Sequence, residues 1–329
     1  MRVLTVTNMW PRRERPAFGA FVQSQVESIE ALGVEVALHV IAGDRGAASY
    51  ALDVPAVRAA VRRLRPDVVH AHYGLSGWTA QWQPMPLVVS FCGDDLLGTP
   101  ARGGGRTFKS GIAMRMSQAA ARKAAAIVCK SRNLAEALER PEDRARAHII
   151  PNGVNLMRFM PGDRDAARRA LGLDPAELLV LFPHAPQQAE QKGFDLADAV
   201  MERVRAAEPS ARLLHVTGVP HSHMPDYYRA ADCLLLTSKS EGSPNVVKEA
   251  LACALPVVGV DAGDAREWLL RVPGCRLTER RAEPLAAAVL DVLRERARVD
   301  AAPVLAELDE RAVARRIRAV YEQALGKAS

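Results

Sequence analysis

The sequence predicts an α/β protein with two doubly wound domains, each built on a parallel sheet with helices on both faces. Short runs of Val, Ile and Leu alternate with longer helical segments, and this alternation occurs in two series separated by a Pro-Asn-Gly interruption. Continuous apolar strands that alternate with helices are typical of parallel sheets covered on both faces. The length of 329 residues also suits two domains of about 150 residues each.

The first series contains six predicted strands with helical segments between them. The strand candidates are short, apolar and rich in β-branched residues or Leu. They are Val3–Thr7, Val34–Ile41, Val68–His72, Leu87–Phe91, Ile127–Cys129 and His148–Ile150. Apolar residues recur at helical spacing in Phe21–Leu32, Ala56–Leu64 and Ser110–Ala125.

The second series repeats the pattern after a seam at Pro151-Asn152-Gly153-Val154, because Pro, Asn and Gly in succession interrupt regular structure. Its strand candidates are Leu178–Phe182, Leu213–Thr217, Cys233–Thr237 and Pro256–Val260. The last helical segment, Arg311–Leu325, has an apolar face and no strand after it, so it must pack on a sheet already built. We therefore predict domains at residues 1–154 and 155–310, and a terminal helix within 311–329.

Composition excludes several classes of protein. Hydrophobic residues make up 49% and charged residues 25%, which excludes a disordered chain, a collagen-like repeat and a small disulfide scaffold. No apolar run approaches the roughly 18 residues of a membrane span. The five cysteines are widely spaced and include no C-x-x-C pair, so we expect free thiols in a cytoplasmic protein.

The net charge of +6 is distributed unevenly. Residues 1–154 carry 20 Lys and Arg against 13 Asp and Glu. Such an excess can attract an anionic membrane surface, which predicts a peripheral position at its inner face, or it is a solvated helix face. No aromatic residues interleave with the charges, which argues against nucleic acid. Between Asp95 and Glu136 no acidic residue occurs, and the basic residues there are Arg102, Arg106, Lys109, Arg115, Arg122, Lys123, Lys130 and Arg132.

The segment from Thr237 to Ala250 carries the most chemical information. It follows a predicted strand, and Ser243 and Pro244 predict an N-cap and a first helical residue. The N-terminus of such a helix suits a phosphate. Glu249, about 7 Å further along the helix, could accept hydrogen bonds from a ribose, and Glu241 on the preceding loop could reach an attached sugar. The alternative is a capped helix with two surface glutamates.

This segment resembles the E-x7-E signature of the retaining glycosyltransferases of family four. Those enzymes have the GT-B fold, in which two Rossmann-like domains face each other across a cleft and a C-terminal helix crosses back to the N-terminal domain. The resemblance extends along the chain. The other similar segments are His70–Gly74, Ser90–Asp95, the junction Ile149–Asn155 with Phe159 and Pro161, Lys192–Asp195, and Glu249–Val258.

The resemblance implies a role for each residue that matches the signature. Lys192 would neutralise the donor diphosphate and Glu241 would lie near the donor sugar, so these two are the expected catalytic residues. Glu249 would bind the nucleotide ribose. The remaining donor-site residues would be Gly19, Gly242, Ser243, Pro244 and Asn245, and those on the acceptor or sugar side would be His72, Cys92, Asp94 and Asp95.

Two positions depart from the family pattern. No Arg occurs shortly before Lys192, where a second cation is usual, unless His184 or a distant Arg replaces it. Cys92 stands where the family has a His that lies near the donor sugar. These departures keep two alternatives open. One is a catalytically silent subunit that binds a nucleotide sugar, and the other is a hydrolase or epimerase of the same architecture.

The expected reaction transfers a sugar from a nucleotide sugar, UDP- or GDP-linked, to the hydroxyl of an unidentified acceptor with retention of configuration. The acceptor could be lipid-linked, polymeric or a small molecule. Neither a cofactor nor a metal is expected. Asp163 and Asp165 have D-x-D spacing, but they begin a predicted helix, which favours capping. The pairs His70/His72 and His221/His223 lack further ligands at suitable spacing for zinc, so structural histidines are favoured.

Overall fold

The computed structural model describes residues 1–43, 46, 48–98, 108–185 and 188–326. The chain divides into two compact units. The first comprises residues 1–13, 18–153 and 310–329, and the second comprises 14–17 and 154–309. The last helical segment therefore groups with the first unit, although it follows the second unit in sequence.

A six-stranded parallel sheet organises the first unit, in the order β2-β1-β3-β4-β5-β6. Each predicted run is an observed strand to within one residue at either end. The strands are β1 (Arg2–Thr7), β2 (Glu35–Val40), β3 (Val68–His72), β4 (Leu87–Phe91), β5 (Ala126–Cys129) and β6 (Ala147–Ile149).

Helices cover both faces of this sheet, because successive side chains on a strand point to opposite faces. Val3 belongs to the apolar cluster beneath the first and last helices of the unit, and Leu4 belongs to the cluster on the other face. The helices are α1 (Ala20–Glu30), α2 (Ala48–Leu52), α3 (Val54–Leu64), α4 (Gly74–Ala80), α5 (Asp94–Leu97), α6 (Phe108–Lys123), α7 (Arg132–Glu136), α8 (Pro141–Ala145) and α17 (Glu310–Ala324).

The C-terminal helix α17 completes the core of the first unit. Ile317, Val320 and Tyr321 are buried in one cluster with the strand residues Val68 and Val88. This packing explains why an amphipathic helix ends the chain without a strand after it. Without α17, the part of this sheet face that it covers beside α1 would expose apolar side chains to water.

The second unit has a five-stranded parallel sheet in the order β11-β10-β9-β7-β8. Its strands are β7 (Leu178–Pro183), β8 (Ala211–Val216), β9 (Cys233–Leu236), β10 (Val257–Val260) and β11 (Arg276–Thr278). Its helices are α9 (Arg164–Leu171), α10 (Ala189–Lys192), α11 (Phe194–Ala207), α12 (Met224–Ala230), α13 (Asn245–Ala252), α14 (Ala265–Leu269), α15 (Ala282–Glu295) and α16 (Ala302–Leu308). The predicted α/β class with two doubly wound parallel sheets is thus confirmed.

Among the described residues, no helix combines the length and the apolar character that crossing a bilayer requires. All five cysteines are free thiols.

Candidate functional site

The turn that carries Lys192 is fixed by the end of a neighbouring strand. Lys192 ends α10, and Gly193 follows it with φ of 72°, a left-handed conformation that favours glycine. The Thr237 hydroxyl lies 2.8 Å from the Lys192 carbonyl oxygen and 2.9 Å from that of Gly193, and donates to them. A Cβ on Gly193 would lie 2.4 Å from the Thr237 carbonyl oxygen. The close approach of β9 to this turn therefore depends on glycine.

Lys192 and Glu241 form an ion pair above this turn. The Lys192 Nζ lies 2.6 Å from the Glu241 Oε1, and the Ser238 hydroxyl donates to the same oxygen at 2.7 Å. Both charged side chains are largely buried, with 16% of Lys192 and 11% of Glu241 exposed. The structure thus brings together the two residues expected to be catalytic, at the carboxyl ends of adjacent strands, where ligands of open parallel sheets bind.

The loop between Glu241 and α13 differs from its predicted capping. The helix begins at Asn245, and Pro244 is its N-cap residue, so the prediction that Ser243 caps it was wrong. The Ser243 hydroxyl donates instead to the Asp264 Oδ2, at 2.7 Å. A tertiary partner has replaced the local capping bond. Gly242 also lies in close contact here, since a Cβ on Gly263 would lie 2.8 Å from the Gly242 carbonyl oxygen.

A buried ion pair that the sequence analysis missed supports the same loop. The Lys248 Nζ on α13 lies 3.2 Å from the Asp264 Oδ2, with 1% and 2% of the two side chains exposed. Lys248 also donates a hydrogen bond to the Ser243 hydroxyl. The sequence did hold a signal for this pair, since Lys248 lies within an apolar helix and Asp264 precedes the next helix. Their spacing alone, however, does not reveal that they are in contact.

Glu249 lies at the centre of a second buried cluster. Its Oε1 lies 2.8 Å from the His221 Nε2, and its Oε2 accepts a hydrogen bond from the Tyr228 hydroxyl at 2.6 Å. The ring of Phe159 packs against both partners, with centroids 5.1 Å from His221 and 5.9 Å from Tyr228. Each carboxylate oxygen keeps a further lone pair that can accept a ribose hydroxyl.

The Glu249–His221 pair stabilises both charged forms. Burial alone lowers the pKa of His221, but the charge and hydrogen bond of Glu249 outweigh it, and the net pKa is raised. Burial raises the pKa of Glu249, yet the charge and hydrogen bond of His221 bring the net pKa below its ordinary value. Glu249 is therefore an ionised acceptor at neutral pH.

His184 does not replace the arginine that is missing before Lys192, because it contacts another histidine. The His184 Nε2 lies 2.5 Å from the His215 Nε2, and the two rings are stacked. Burial and the neighbouring His184 lower the pKa of His215, so that imidazole is neutral at pH 7. Arg280, just after β11, approaches the lysine turn instead. Its Nε donates to the Thr237 carbonyl oxygen at 3.2 Å, and its Nη2 would lie 2.8 Å from a Cβ on Gly193.

The predicted site residues in the first unit lie at the carboxyl ends of its strands. Gly19 is the N-cap residue of α1 with φ of 77°, and a Cβ there would lie 2.3 Å from the Met9 carbonyl carbon. His72 ends β3, is buried, and its Nδ1 has no hydrogen-bond partner among the described residues. Burial, followed by the charges of His70 and Lys130, lowers its pKa well below the ordinary value.

The loop that contains Cys92, Asp94 and Asp95 is ordered by one carboxylate. Asp95 is fully buried, and its oxygens accept hydrogen bonds from the backbone N–H groups of Gly74 (2.9 Å), Cys92 (3.1 Å) and Gly93 (2.8 Å). Burial and the charge of Asp94 nevertheless raise its pKa to about 6. Burial likewise raises the pKa of the Cys92 thiol, so Cys92 is protonated at neutral pH. Asp94 is the exposed carboxylate of this loop.

Among the described basic residues between Asp95 and Glu136, four are exposed and one is buried; the exposed ones are Arg115, Arg122, Lys123 and Arg132. Lys130 is buried and donates to an amide oxygen on α1 at 2.9 Å. Arg122 forms an exposed ion pair with Glu139 at 3.0 Å. Of the basic residues named in this segment, Arg102 and Arg106 lie outside the described residues, as does the side chain of Lys109.

The D-x-D segment caps a helix, as predicted. Asp163 is the N-cap residue of α9, and its side chain accepts a hydrogen bond from the Ala166 N–H at 2.6 Å. Within the described residues, no three His, Cys, Asp or Glu side chains are grouped so as to hold a metal ion.

Comparison with known sequences identifies the class of protein to which the chain is similar. The model of the family described as Glycosyltransferase Family 4 matches residues 2–158, and that described as Glycosyl transferases group 1 matches residues 185–295. The chain is 23% identical to TuaC of Bacillus subtilis, a glycosyltransferase named for teichuronic acid biosynthesis, over 88% of both chains. It is 30% identical to the D-inositol 3-phosphate glycosyltransferase of Geodermatophilus obscurus, over 70% of this chain and 60% of that one.

Solved structures show the same fold at low sequence identity. A sucrose-phosphate synthase of Thermosynechococcus elongatus has a TM-score of 0.81 at 18% identity, with 99% of this chain and 100% of that chain covered. Anabaena HepE, solved in complex with UDP-glucose, has a TM-score of 0.69 at 16% identity, covering 98% and 100%. The fold and the family matches define a glycosyltransferase of the GT-B class. Within that class, the two family matches together indicate a glycosyltransferase of the family 4 type.

Proposed function

We propose that this glycosyltransferase takes its sugar from a UDP- or GDP-linked donor and transfers it, with retention of configuration and without a metal ion, to an acceptor hydroxyl. The contact between Lys192 and Glu241 carries this proposal, because it places a cation and a carboxylate within 2.6 Å at the carboxyl edge of the second sheet. The complex of the similar HepE with UDP-glucose supports a nucleoside diphosphate sugar as donor.

Each group of the site has a place in the reaction. Glu249, ionised and held by His221 and Tyr228, accepts the ribose hydroxyls. Lys192 compensates the charge that develops on the diphosphate as the sugar C1–O bond breaks. Glu241 accepts hydrogen bonds from the sugar. The acceptor oxygen bonds to C1 on the face that the diphosphate leaves, and a phosphate oxygen takes the acceptor proton. Catalysis then consists of positioning and charge stabilisation.

A nucleotide panel tests the donor site. The full-length protein is heated with UDP, GDP, ADP or CMP, each alone and as its sugar. A ligand at 100 times its Kd adds about 2.7 kcal/mol of stability, a clear thermal shift. We expect one uridine or guanosine diphosphate to give this shift, E249A to abolish it, and E202A, at an exposed glutamate on α11, to retain it. If no nucleotide shifts the wild-type protein, the proposal is wrong.

A silent nucleotide-sugar-binding subunit is the second candidate, and Cys92 in place of the family His favours it. The stabilising nucleotide sugar, labelled in the sugar, separates the two. If the wild-type protein transfers the label to an acceptor and E241A does not, the protein is an active enzyme. Binding without transfer over a broad panel of lipid-linked, polymeric and small acceptors identifies the silent subunit.

A further inference from the structure

A buried ion pair in the second unit, Lys248 with Asp264, contacts the loop before α13 but has no part in the proposed reaction. The Lys248 Nζ lies 3.2 Å from the Asp264 Oδ2, and 1% and 2% of the two side chains are exposed. The Ser243 hydroxyl donates to the same carboxylate oxygen at 2.7 Å and accepts a hydrogen bond from the Lys248 ammonium. The ion pair therefore uses the proton of this hydroxyl and one of its lone pairs.

The pair is poorly suited to a purely stabilising role. Two charges that leave water lose hydration free energy, and their attraction offsets this loss only when their polar atoms are well bonded. The second carboxylate oxygen, the Asp264 Oδ1, is buried and has no hydrogen-bond partner among the described residues. Burial also lowers the pKa of Lys248, and the charge of Asp264 opposes this shift. Apolar side chains of similar size would fill the same space without desolvating two charges, so we looked for another role.

The contact between Ser243 and Asp264 overrides a local preference of the sequence. Serine followed by proline is favoured at the N-cap and first positions of a helix. Here Pro244 is instead the N-cap residue of α13, with φ of −69° and ψ of 106°. That φ is already helical, so rotation about ψ alone would add Pro244 to the helix and make Ser243 its N-cap.

The partner of Ser243 decides what the N-terminus of α13 can bind. Pro244 gives this helix no side-chain cap. As N-cap, the Ser243 hydroxyl would accept a hydrogen bond from the first turn, for example from the N–H of Val246, the third helical residue. The first-turn N–H groups and the positive end of the helix dipole are also what suits a phosphate. A capping hydroxyl would therefore compete with a phosphate for the same groups.

We propose that Lys248 and Asp264 are positioning residues, which hold the Ser243 hydroxyl away from the first turn of α13 and so keep that turn available to the donor diphosphate. The inference rests on the proposed function, since it takes the donor diphosphate as the ligand of this helix N-terminus. Lys248 and Asp264 act through Ser243, because both side chains are almost completely buried.

Titration calorimetry of the full-length protein tests the proposal with UDP or GDP, whichever stabilises the wild type. K248M/D264L replaces the pair with apolar side chains of similar size and leaves the Ser243 hydroxyl without its acceptor. We expect this variant to bind the diphosphate about tenfold more weakly, because the hydroxyl then competes for the helix N-terminus. K248M/D264N removes the same two charges but keeps an oxygen that accepts from Ser243, so it should bind like the wild type.

Two further measurements separate positioning from general damage. The nucleoside alone, uridine or guanosine, carries no phosphate and should bind the wild type and the variants alike in an NMR titration, because Glu249 is unchanged. K248M/D264A also deprives Ser243 of its acceptor and should bind the diphosphate as weakly as K248M/D264L, so the result does not depend on how leucine packs. Urea unfolding measures the stability of each variant.

The proposal would be overturned by any of three results. Diphosphate binding by K248M/D264L at the wild-type affinity, even with reduced stability, would make the pair purely structural. Equal weakening in K248M/D264N would show that the lost charges matter and the Ser243 hydroxyl does not. Equal weakening of nucleoside binding would indicate a general disturbance of the donor site. If the wild type binds neither diphosphate, the proposed function itself fails and this inference with it, so the two failures are distinguishable.

Discussion

The Nζ of Lys192 lies 2.6 Å from the Oε1 of Glu241, although the two residues are 49 positions apart in the sequence. Two adjacent parallel strands bring them together, because β7 leads to the lysine turn and β9 leads to the glutamate loop. The contact joins the cation expected to hold the diphosphate to the carboxylate expected to face the sugar.

Replacing Lys192 with Ala should lower the rate of sugar transfer by about a hundredfold or more, since one lost stabilising group in an electrostatic site costs roughly that factor. The measurement is kcat for transfer of labelled sugar, once the donor is known. Lys239 provides the control, because it lies nearby and its ion pair among the described residues is with Glu190, at 3.6 Å. K239A should transfer at nearly the wild-type rate. Equal losses in both variants would contradict the assignment of Lys192.

Gly193→Ala should destabilise the protein far more than Gly172→Ala. Both glycines have left-handed backbones, with φ of 72° and 65°, so each substitution costs about 1–2 kcal/mol of strain. Only at Gly193 would the Cβ meet neighbouring backbone, the Thr237 carbonyl oxygen, at 2.4 Å. The clash should add about 1–3 kcal/mol and displace Lys192. Urea unfolding measures the difference, and similar losses for both variants would contradict the described turn.

His221→Asn should cost more stability at pH 6 than at pH 9. Because the pKa of His221 is raised, its charge contributes fully below about pH 6.5, the unfolded value, and is lost as the pH rises through the folded pKa. The pKa of Glu249 is lowered, so its contribution is present above the ordinary carboxyl pKa and is lost only in acid. We expect His221→Asn to lower the free energy of unfolding by about 2 kcal/mol at pH 6, as for a hydrogen bond between charged groups, and by about 1 kcal/mol at pH 9.

Urea unfolding of the two histidine variants at both pH values checks this prediction. His223→Asn is the matched control, since His223 is exposed and lies in the same short helical turn. Its loss should be small. A pH-independent loss in His221→Asn would show that the ion pair with Glu249 does not form in solution.

Arg280→Ala should weaken binding of the nucleoside diphosphate about tenfold but leave the monophosphate nearly unaffected. The reason is that Arg280, beside the Lys192–Gly193 turn, is the described arginine placed to supply the second positive charge. Titration calorimetry with both nucleotides measures the ratio. Arg281→Ala is the control, because Arg281 is exposed and paired with Glu279 at 3.4 Å. If both variants bind the diphosphate like the wild type, the second cation lies elsewhere.

Apolar patterning predicted most of the fold, because a buried parallel strand must be apolar on both faces. Val68–His72 and Leu87–Phe91 were located to the residue on this basis. The strand Arg276–Thr278 was missed because Leu277 is its only apolar residue. An edge strand of three residues leaves no periodic signal in the sequence.

The candidate site was predicted less completely, because its contacts are tertiary. The motif located Glu249, but nothing in the spacing reveals that His221, 28 positions away, would bind it. Ser243 has the sequence signature of an N-cap, yet Asp264 competes for its hydroxyl. Lys130 was counted with surface charges, although it is buried. In each case, a partner distant in the sequence decides the position of a polar side chain.

The most direct test is a crystal structure of the full-length protein with the nucleotide sugar that gives the largest thermal shift. We predict that the ribose hydroxyls lie within about 3 Å of the Glu249 carboxylate, and that the diphosphate contacts the Lys192 ammonium. A nucleotide bound elsewhere on the molecule, with Glu249 bonded only to His221 and Tyr228, would contradict it.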